Sequence, residues 1–218
     1  MVKLDRVTRS YSGVLALDAL SLEITQGEFV TVTGPSGCGK STLLNLLGGL
    51  DRPDSGEIFV DALPLHNAGD AALTDYRRHR LGIVFQFFNL LPAMTVVENV
   101  ELPLLFAGTP RRTMRERSLA MLDLVGLSSR AGHFPHQLSG GEMQRAAIAR
   151  AIVHEPALLL ADEPTGNLDS ANAGRVMEAL LKIASQRLAT MVVVTHSEAV
   201  AEMAPRRIRL LDGRITHG

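Results

Sequence analysis

An α/β fold follows from three features of this chain: a mixed, largely parallel sheet with an antiparallel β subdomain and an inserted α-helical subdomain. First, the glycine-rich stretch Gly34–Ser41 sits between a strand-like run, Phe29–Thr33, and a helix-like run, Thr42–Leu47. Second, Leu158–Ala161 and Met191–Val194 are apolar throughout, as strands are when a parallel sheet is covered on both faces. Third, the chain from about Phe87 to Glu155 carries helical spacing and helix caps.

Taken in order, Val2–Val7, Leu20–Ile24 and Ile58–Val60 show the short alternation of half-exposed strands. Gly34-Pro35-Ser36-Gly37-Cys38-Gly39-Lys40-Ser41 is a phosphate-binding loop in the strand–loop–helix setting that the pattern needs. Gly34, Gly37 and Gly39 let the backbone curl so that its N–H groups surround phosphate oxygens, and Ser36, Cys38 and Thr42 belong to the same cradle. The helix that follows adds a positive N-terminal end facing the anion. Lys40 is expected to reach the β/γ-phosphates and the Ser41 hydroxyl to ligate Mg²⁺. Such a loop implies a nucleotide triphosphate as ligand. Cys38 lies in this loop, where the backbone does the binding; alkylation of this thiol is expected to inhibit, with bound nucleotide protecting.

Leu81–Phe85 reads as a strand ending at Gln86. Thr113-Met114-Arg115-Glu116 has capping-box spacing before Leu119, Leu122 and Val125, with a stop at Gly126. A second long helix is predicted from about Ser139 to Val153, and a third carries Met177, Leu180, Leu181 and Ala184. Asp212-Gly213 between Ile208–Leu211 and Arg214–Ile215 predicts a hairpin. The expected organisation is one unit over 1–218, with a core of about 1–86 and 156–218 and a helical lobe of about 87–155.

Composition narrows the partners. A net charge of −1 gives no electrostatic case for nucleic acid. One cysteine cannot form an internal disulfide, which fits a reducing compartment. The first residues lack the apolar core of a signal peptide, and no apolar run has bilayer-spanning length, so a membrane role is expected only through a partner.

Leu138-Ser139-Gly140-Gly141-Glu142-Met143-Gln144-Arg145 is a second anion-ready helix start: Ser139 and Glu142 have capping-box spacing, and two glycines leave N–H groups open to a ligand. By itself it also reads as a simple helix cap. In company with the phosphate loop, Leu138–Gln144 resembles the signature motif of the ATP-binding cassette family, the ATPase subunits of ABC systems, and the family's other motifs follow in order over nearly the whole chain. The resemblance implies a P-loop NTPase core and an ATPase with ATP and Mg²⁺ as cofactors. Leu158–Glu163 resembles a Walker B strand, with Asp162 on the metal and Glu163 as general base for the attacking water. Gln86 resembles the Q-loop glutamine that reaches Mg²⁺ and water, and His196 the switch histidine on the γ-phosphate; Ser197 stands where many relatives carry Asp. His66, His79, His133, His136, His154 and His217 are read as surface residues. Gly166-Asn167-Leu168-Asp169 resembles the D-loop, although Asp169 also reads as a helix N-cap. Tyr11 lies where the family stacks an aromatic on adenine, with Val14 and Ala16 nearby.

Leu46–Pro53, Phe85–Pro92 and Ala161–Asp169 are similar to the MacB/LolD/FtsE branch. That likeness implies a homodimer closing on two ATP, with Ser139, Gly140, Gly141 and Gln144 of one copy at the nucleotide held by the other. It also implies a separate permease of the MacB, LolC-LolE or FtsX type, contacted near Phe88 and Leu90, and a cytoplasmic subunit peripheral to the inner membrane. Export, lipoprotein or lipid release, or division control without cargo are the roles it leaves open.

Overall fold

The computed structural model describes residues 1–217, the side chain of His217 excepted. Two sheets organise the chain. Strands β1 (Val2–Tyr11), β2 (Val14–Ile24), β4 (Ser55–Val60) and β5 (Leu63–Pro64) form an antiparallel sheet in the order β2-β1-β4-β5. Strands β3 (Phe29–Thr33), β6 (Leu81–Val84), β7 (Leu158–Asp162), β8 (Thr190–Val194), β9 (Arg206–Leu211) and β10 (Arg214–His217) form the second, in the order β10-β9-β3-β8-β7-β6. In it β9, β3, β8, β7 and β6 are mutually parallel and only β10 runs back, across the Asp212-Gly213 turn. Both residues of that turn are left-handed, at φ 46° and 75°, as a two-residue hairpin of matching twist requires.

The apolar segments behave as their composition dictates. Every residue of β8 is buried, and β7 is buried up to Asp162. Helices α1 (Lys40–Leu47), α2 (Asp70–His79), α6 (Ser170–Ser185) and the short α7 (Glu198–Ala201) flank the sheets. Between β6 and β7 run α3 (Val96–Phe106), α4 (Arg111–Leu124) and α5 (Gly140–Ile152), with two 3₁₀ turns at Ser128–Arg130 and Pro135–Gln137. One apolar cluster joins α3, α4, α5 and α6 to one face of the parallel sheet; another joins its other face to α1 and the antiparallel sheet.

Four expectations need correction. The first two strands are longer than their alternation suggested, because Arg6 and Ala19 take left-handed φ (47° and 45°) and irregular pairing interrupts the period of two. Helix α4 starts at Arg111 behind Pro110, so Thr113 lies within the first turn and caps nothing; proline with φ −58° already fixes the entry. Strand β6 ends at Val84, two residues before Gln86. His154 is half-buried, its Nε2 on the Leu81 carbonyl at 3.0 Å, because the end of α5 packs on the start of β6. Gly82 explains that closeness: a Cβ there would sit 2.1 Å from the Ala151 carbonyl oxygen. His66 and His133 are also partly buried, whereas His79 and His136 are exposed. The side chain of His217 lies outside the described residues.

Candidate nucleotide site

Adjacent parallel strands β3, β8 and β7 open their carboxyl ends on one edge of the sheet, where open α/β sheets bind ligands. Between β3 and α1 the backbone passes through three left-handed glycines, Gly34 (φ 151°), Gly37 (80°) and Gly39 (105°). A Cβ would lie 2.1 Å from the Leu210 carbonyl oxygen at Gly34, and 2.3 Å from the Ala16 carbonyl oxygen at Gly39. The loop is thus pressed between β9 and β2, and only glycine fits. Lys40 Nζ donates to the Gly34 and Pro35 carbonyls at 2.8 and 2.9 Å, which folds its charge back over the loop. Ser36, Gly37 and Ser41 are exposed and Thr42 is partly so. Cys38 is not: its side chain is 4% exposed and faces inward beside Gly34. A reagent therefore reaches this thiol only if the loop opens.

Strand β7 delivers Asp162 at its end, and Glu163 follows with φ 44°, a conformation few non-glycine residues adopt. Its amide donates to the Val194 carbonyl at 2.9 Å, which holds the turn. Burial pushes the Asp162 carboxyl up, the neighbouring Glu163 adds to this, and Lys40 draws it back. The Thr195 hydroxyl donates to Glu163 Oε2 at 3.2 Å, and His196 Nδ1 lies 2.6 Å from Oε1. Thr195 is fully buried, and its Oγ1 also accepts the Ser197 amide at 3.0 Å. Sequence reasoning passed over Thr195, because a threonine ending a buried strand carries no signal of its own. Gln86 pairs with Asn167: Nε2 donates to Asn167 Oδ1 at 3.3 Å, and Asn167 Nδ2 to the Gln86 carbonyl at 3.2 Å.

The second helix start stands apart. Ser139 caps α5 in a full capping box, and each of its side-chain hydrogen bonds goes to Glu142. The Ser139 amide holds the Glu142 carboxyl down, to about 2, against partial burial, with Arg130 Nε at 2.9 Å assisting. At Gly141 a Cβ would fall 2.7 Å from Asn172 Cβ, and at Gly140 3.2 Å from Leu168 Cδ2. These glycines serve close packing on the start of α6 as well as access. Gln144, expected at the nucleotide, is corrected: it is fully buried and donates to the Phe85 carbonyl at 3.2 Å, so its side chain ties α5 to the Gln86 segment. Asp169 caps α6, accepting the Asn172 amide at 3.0 Å. The loop, the acid pair, Gln86 and His196 therefore line one edge. Ser139, Gly140 and Gly141 form a separate surface, linked to that edge through Asn167, Leu168 and Asn172.

Tyr11, at the end of β1, is 41% exposed; its hydroxyl donates to Asp51 at 2.5 Å, and Arg9 lies 4.7 Å over the ring. Of the apolar residues after Gln86, Phe87 and Leu91 are exposed, while Phe88 is partly buried and Leu90 packs on the core. Phe88 and Leu90, the pair expected near a partner, are thus the less exposed of the four. For Mg²⁺, the donors present are the Asp162 carboxyl and the Ser41 hydroxyl, with the Gln86 amide oxygen. They are few and all oxygen, as suits a hard cation completed by phosphate and water. A half-buried carboxyl with a second carboxylate beside it also favours a cation.

A family model described as ABC transporter matches residues 17–166. The chain is 43% identical to the lipoprotein-releasing system ATP-binding protein LolD of Bacteroides fragilis, over 99% of this chain and 100% of that one. It is 47% identical to LolD of Geobacter metallireducens, over 96% and 95%. Among solved structures, the dimeric post-hydrolysis state of the ATP-binding cassette MJ0796 bound to ADP and Pi superposes with a TM-score of 0.90 at 44% identity, over 100% of this chain and 97% of that chain. The MJ0796 protein belongs to Methanocaldococcus jannaschii.

Proposed function

The chain belongs to the ABC transporter family of ATP-binding cassettes, and from that premise we propose a two-copy ATPase that drives a separate permease in lipoprotein or lipid release. It binds ATP and hydrolyses it to ADP and phosphate. One observation carries the two-copy reading: the phosphate loop and the Ser139 helix start are both built for an anion, yet they occupy different surfaces of one chain. Two chains set head to tail bring each helix start over the other's loop. A triphosphate between them then has two positive helix ends sharing its charge.

In this reading Lys40 and the amides of residues 34–42 hold the phosphates, and Tyr11 flanks the base. Ser41, Asp162 and Gln86 would hold Mg²⁺, which when bound neutralises charge on the phosphates. Glu163 takes a proton from the attacking water, oriented by Thr195 and His196. The left-handed turn at Glu163 separates the paired acids, so that one serves the metal and one the water. Ser139 and Gly141 of the second copy close over the γ-phosphate, with Asp169 near the junction of the copies. Cleavage removes the shared charge and the copies part.

Among the described residues no helix is long and apolar enough to cross a membrane. The permease is proposed to rest on the exposed apolar side chains beside Gln86, namely Phe85, Phe87 and Leu91, next to a groove lined by Leu102, Pro103 and Phe106. That seats the subunit on the cytoplasmic face of the membrane, within reach of the Gln86–Asn167 pair. The helices of residues about 87–155 would then act as the lobe that carries nucleotide closure to the permease. The test is the ATPase rate of the permease-free subunit against its own concentration. A rise steeper than linear is expected; strict proportionality down to high dilution contradicts a site shared by two copies.

A further inference from the structure

Among the described residues four buried side-chain polar atoms have no hydrogen-bond partner, and one of them belongs to a charged group: Nη1 of the Arg145 guanidinium. The other three have ready accounts. Ser118 lies within a helix where its hydroxyl can turn to a carbonyl, and Gln144 Oε1 and His154 Nδ1 are acceptors whose amide and ring partners are already engaged. A buried charged donor without a partner costs more than any of these. Arg145 is 8% exposed and forms part of the wall of a cleft of about 330 Å³ between the end of α4 and the middle of α6. Across that cleft stand Arg175, Glu178 and Lys182, with Gly126 at its edge. None of the four charged residues makes an ion pair within 4.0 Å among the described residues. Three cations against one carboxylate give the lining of the cleft a surplus of two positive charges.

We propose that this cleft binds a phosphate dianion, either free inorganic phosphate or the head group of a phosphomonoester lipid. The guanidinium supplies a charge-assisted donor group at the wall of the cleft, and Arg175 and Lys182 supply a cationic rim. The charge surplus selects a dianion over a simple carboxylate. Arg145 lies on α5 one turn beyond Glu142, so the cleft lies against the same helix that Ser139 caps.

The test uses the full chain with its nucleotide site saturated by a non-hydrolysable MgATP analogue, whose γ-phosphate fills the loop at Lys40 so that added phosphate does not report it. Inorganic phosphate is titrated while backbone amide spectra follow Gly126, Arg145, Glu178 and Ala179, against chloride at equal ionic strength. Saturable shifts at these amides are expected, weakened about tenfold or more in the double variant Arg175→Ala with Lys182→Ala, which removes two rim cations. Basal ATPase of that variant is expected to equal the wild type. Flotation with phosphatidylcholine vesicles containing phosphatidic acid separates the sources. Binding lost in the double variant assigns a lipid head group, and phosphate shifts without vesicle binding assign a soluble anion. Absence of both, or shifts that persist unchanged in the double variant, overturns the proposal.

Discussion

Replacing Thr195 by valine tests the catalytic end of the site with little change of shape. The two side chains are close in volume, and Thr195 is fully buried, so no cavity opens. What is lost is one donor to Glu163 Oε2 at 3.2 Å and one acceptor for the Ser197 amide at 3.0 Å. A hydrogen bond to a charged group is worth about 1.5–3 kcal/mol. If that bond holds Glu163 where the water is activated, its removal lowers kcat by about ten- to a hundredfold. The stranded amide costs about 1 kcal/mol of fold stability, too little to unfold a domain of this size. Steady-state ATPase at saturating MgATP, with nucleotide affinity measured separately, separates the effects: kcat falls and affinity holds. Thr195→Ser keeps the hydroxyl and is expected to recover most of the rate. A valine variant within about twofold of wild type would refute the positioning role.

The other predictions concern the second helix start and the loop. Glu142 titrates at about 2, below its ordinary 4.5, so the stability it adds is complete above the ordinary value and is lost as pH falls through the depressed one. The wild type should therefore exceed Glu142→Gln in urea stability at neutral pH, with the gap closing between about pH 5 and pH 2; a gap independent of pH contradicts this. Gly141→Ala drives a Cβ to 2.7 Å from Asn172 Cβ. Overpacking of about 1–3 kcal/mol, offset by about 1 kcal/mol of helix propensity, predicts a modest net loss; a rise in the urea midpoint would mean that α5 and α6 are not in close contact. Cys38 should react with maleimide far more slowly in the native protein than in urea, and more slowly again with ATP. Prompt stoichiometric labelling of the native chain would place the thiol outside the loop's interior.

The motifs were legible because they are chemistry written in consecutive residues. Gly34–Ser41, Asp162-Glu163 and Ser139–Glu142 each need fixed residue types at fixed spacing, and the structure places them at strand ends and helix starts as that chemistry requires. The buried strands were legible because continuous apolar runs have few other uses. What escaped depends on contacts between distant segments. The role of Thr195 rests on Glu163, and the need for glycine at 141 rests on Asn172. The burial of Gln144 and Cys38 is set by neighbours across the fold, the Phe85 carbonyl for the first and the apolar cluster containing Ile208 and Leu210 for the second, which no local pattern announces. The left-handed residues Arg6 and Ala19 hid the length of β1 and β2 for a similar reason: a strand irregularity is fixed by its partner strand.

The sharing of one triphosphate by two copies is tested most directly by the structure of Glu163→Gln solved with ATP and Mg²⁺. The Ser139 hydroxyl and the Gly141 amide of one copy are expected within hydrogen-bond reach of the γ-phosphate cradled by Lys40 of the other. A γ-phosphate touched by a single copy, with both Ser139 side chains facing solvent, would contradict the account.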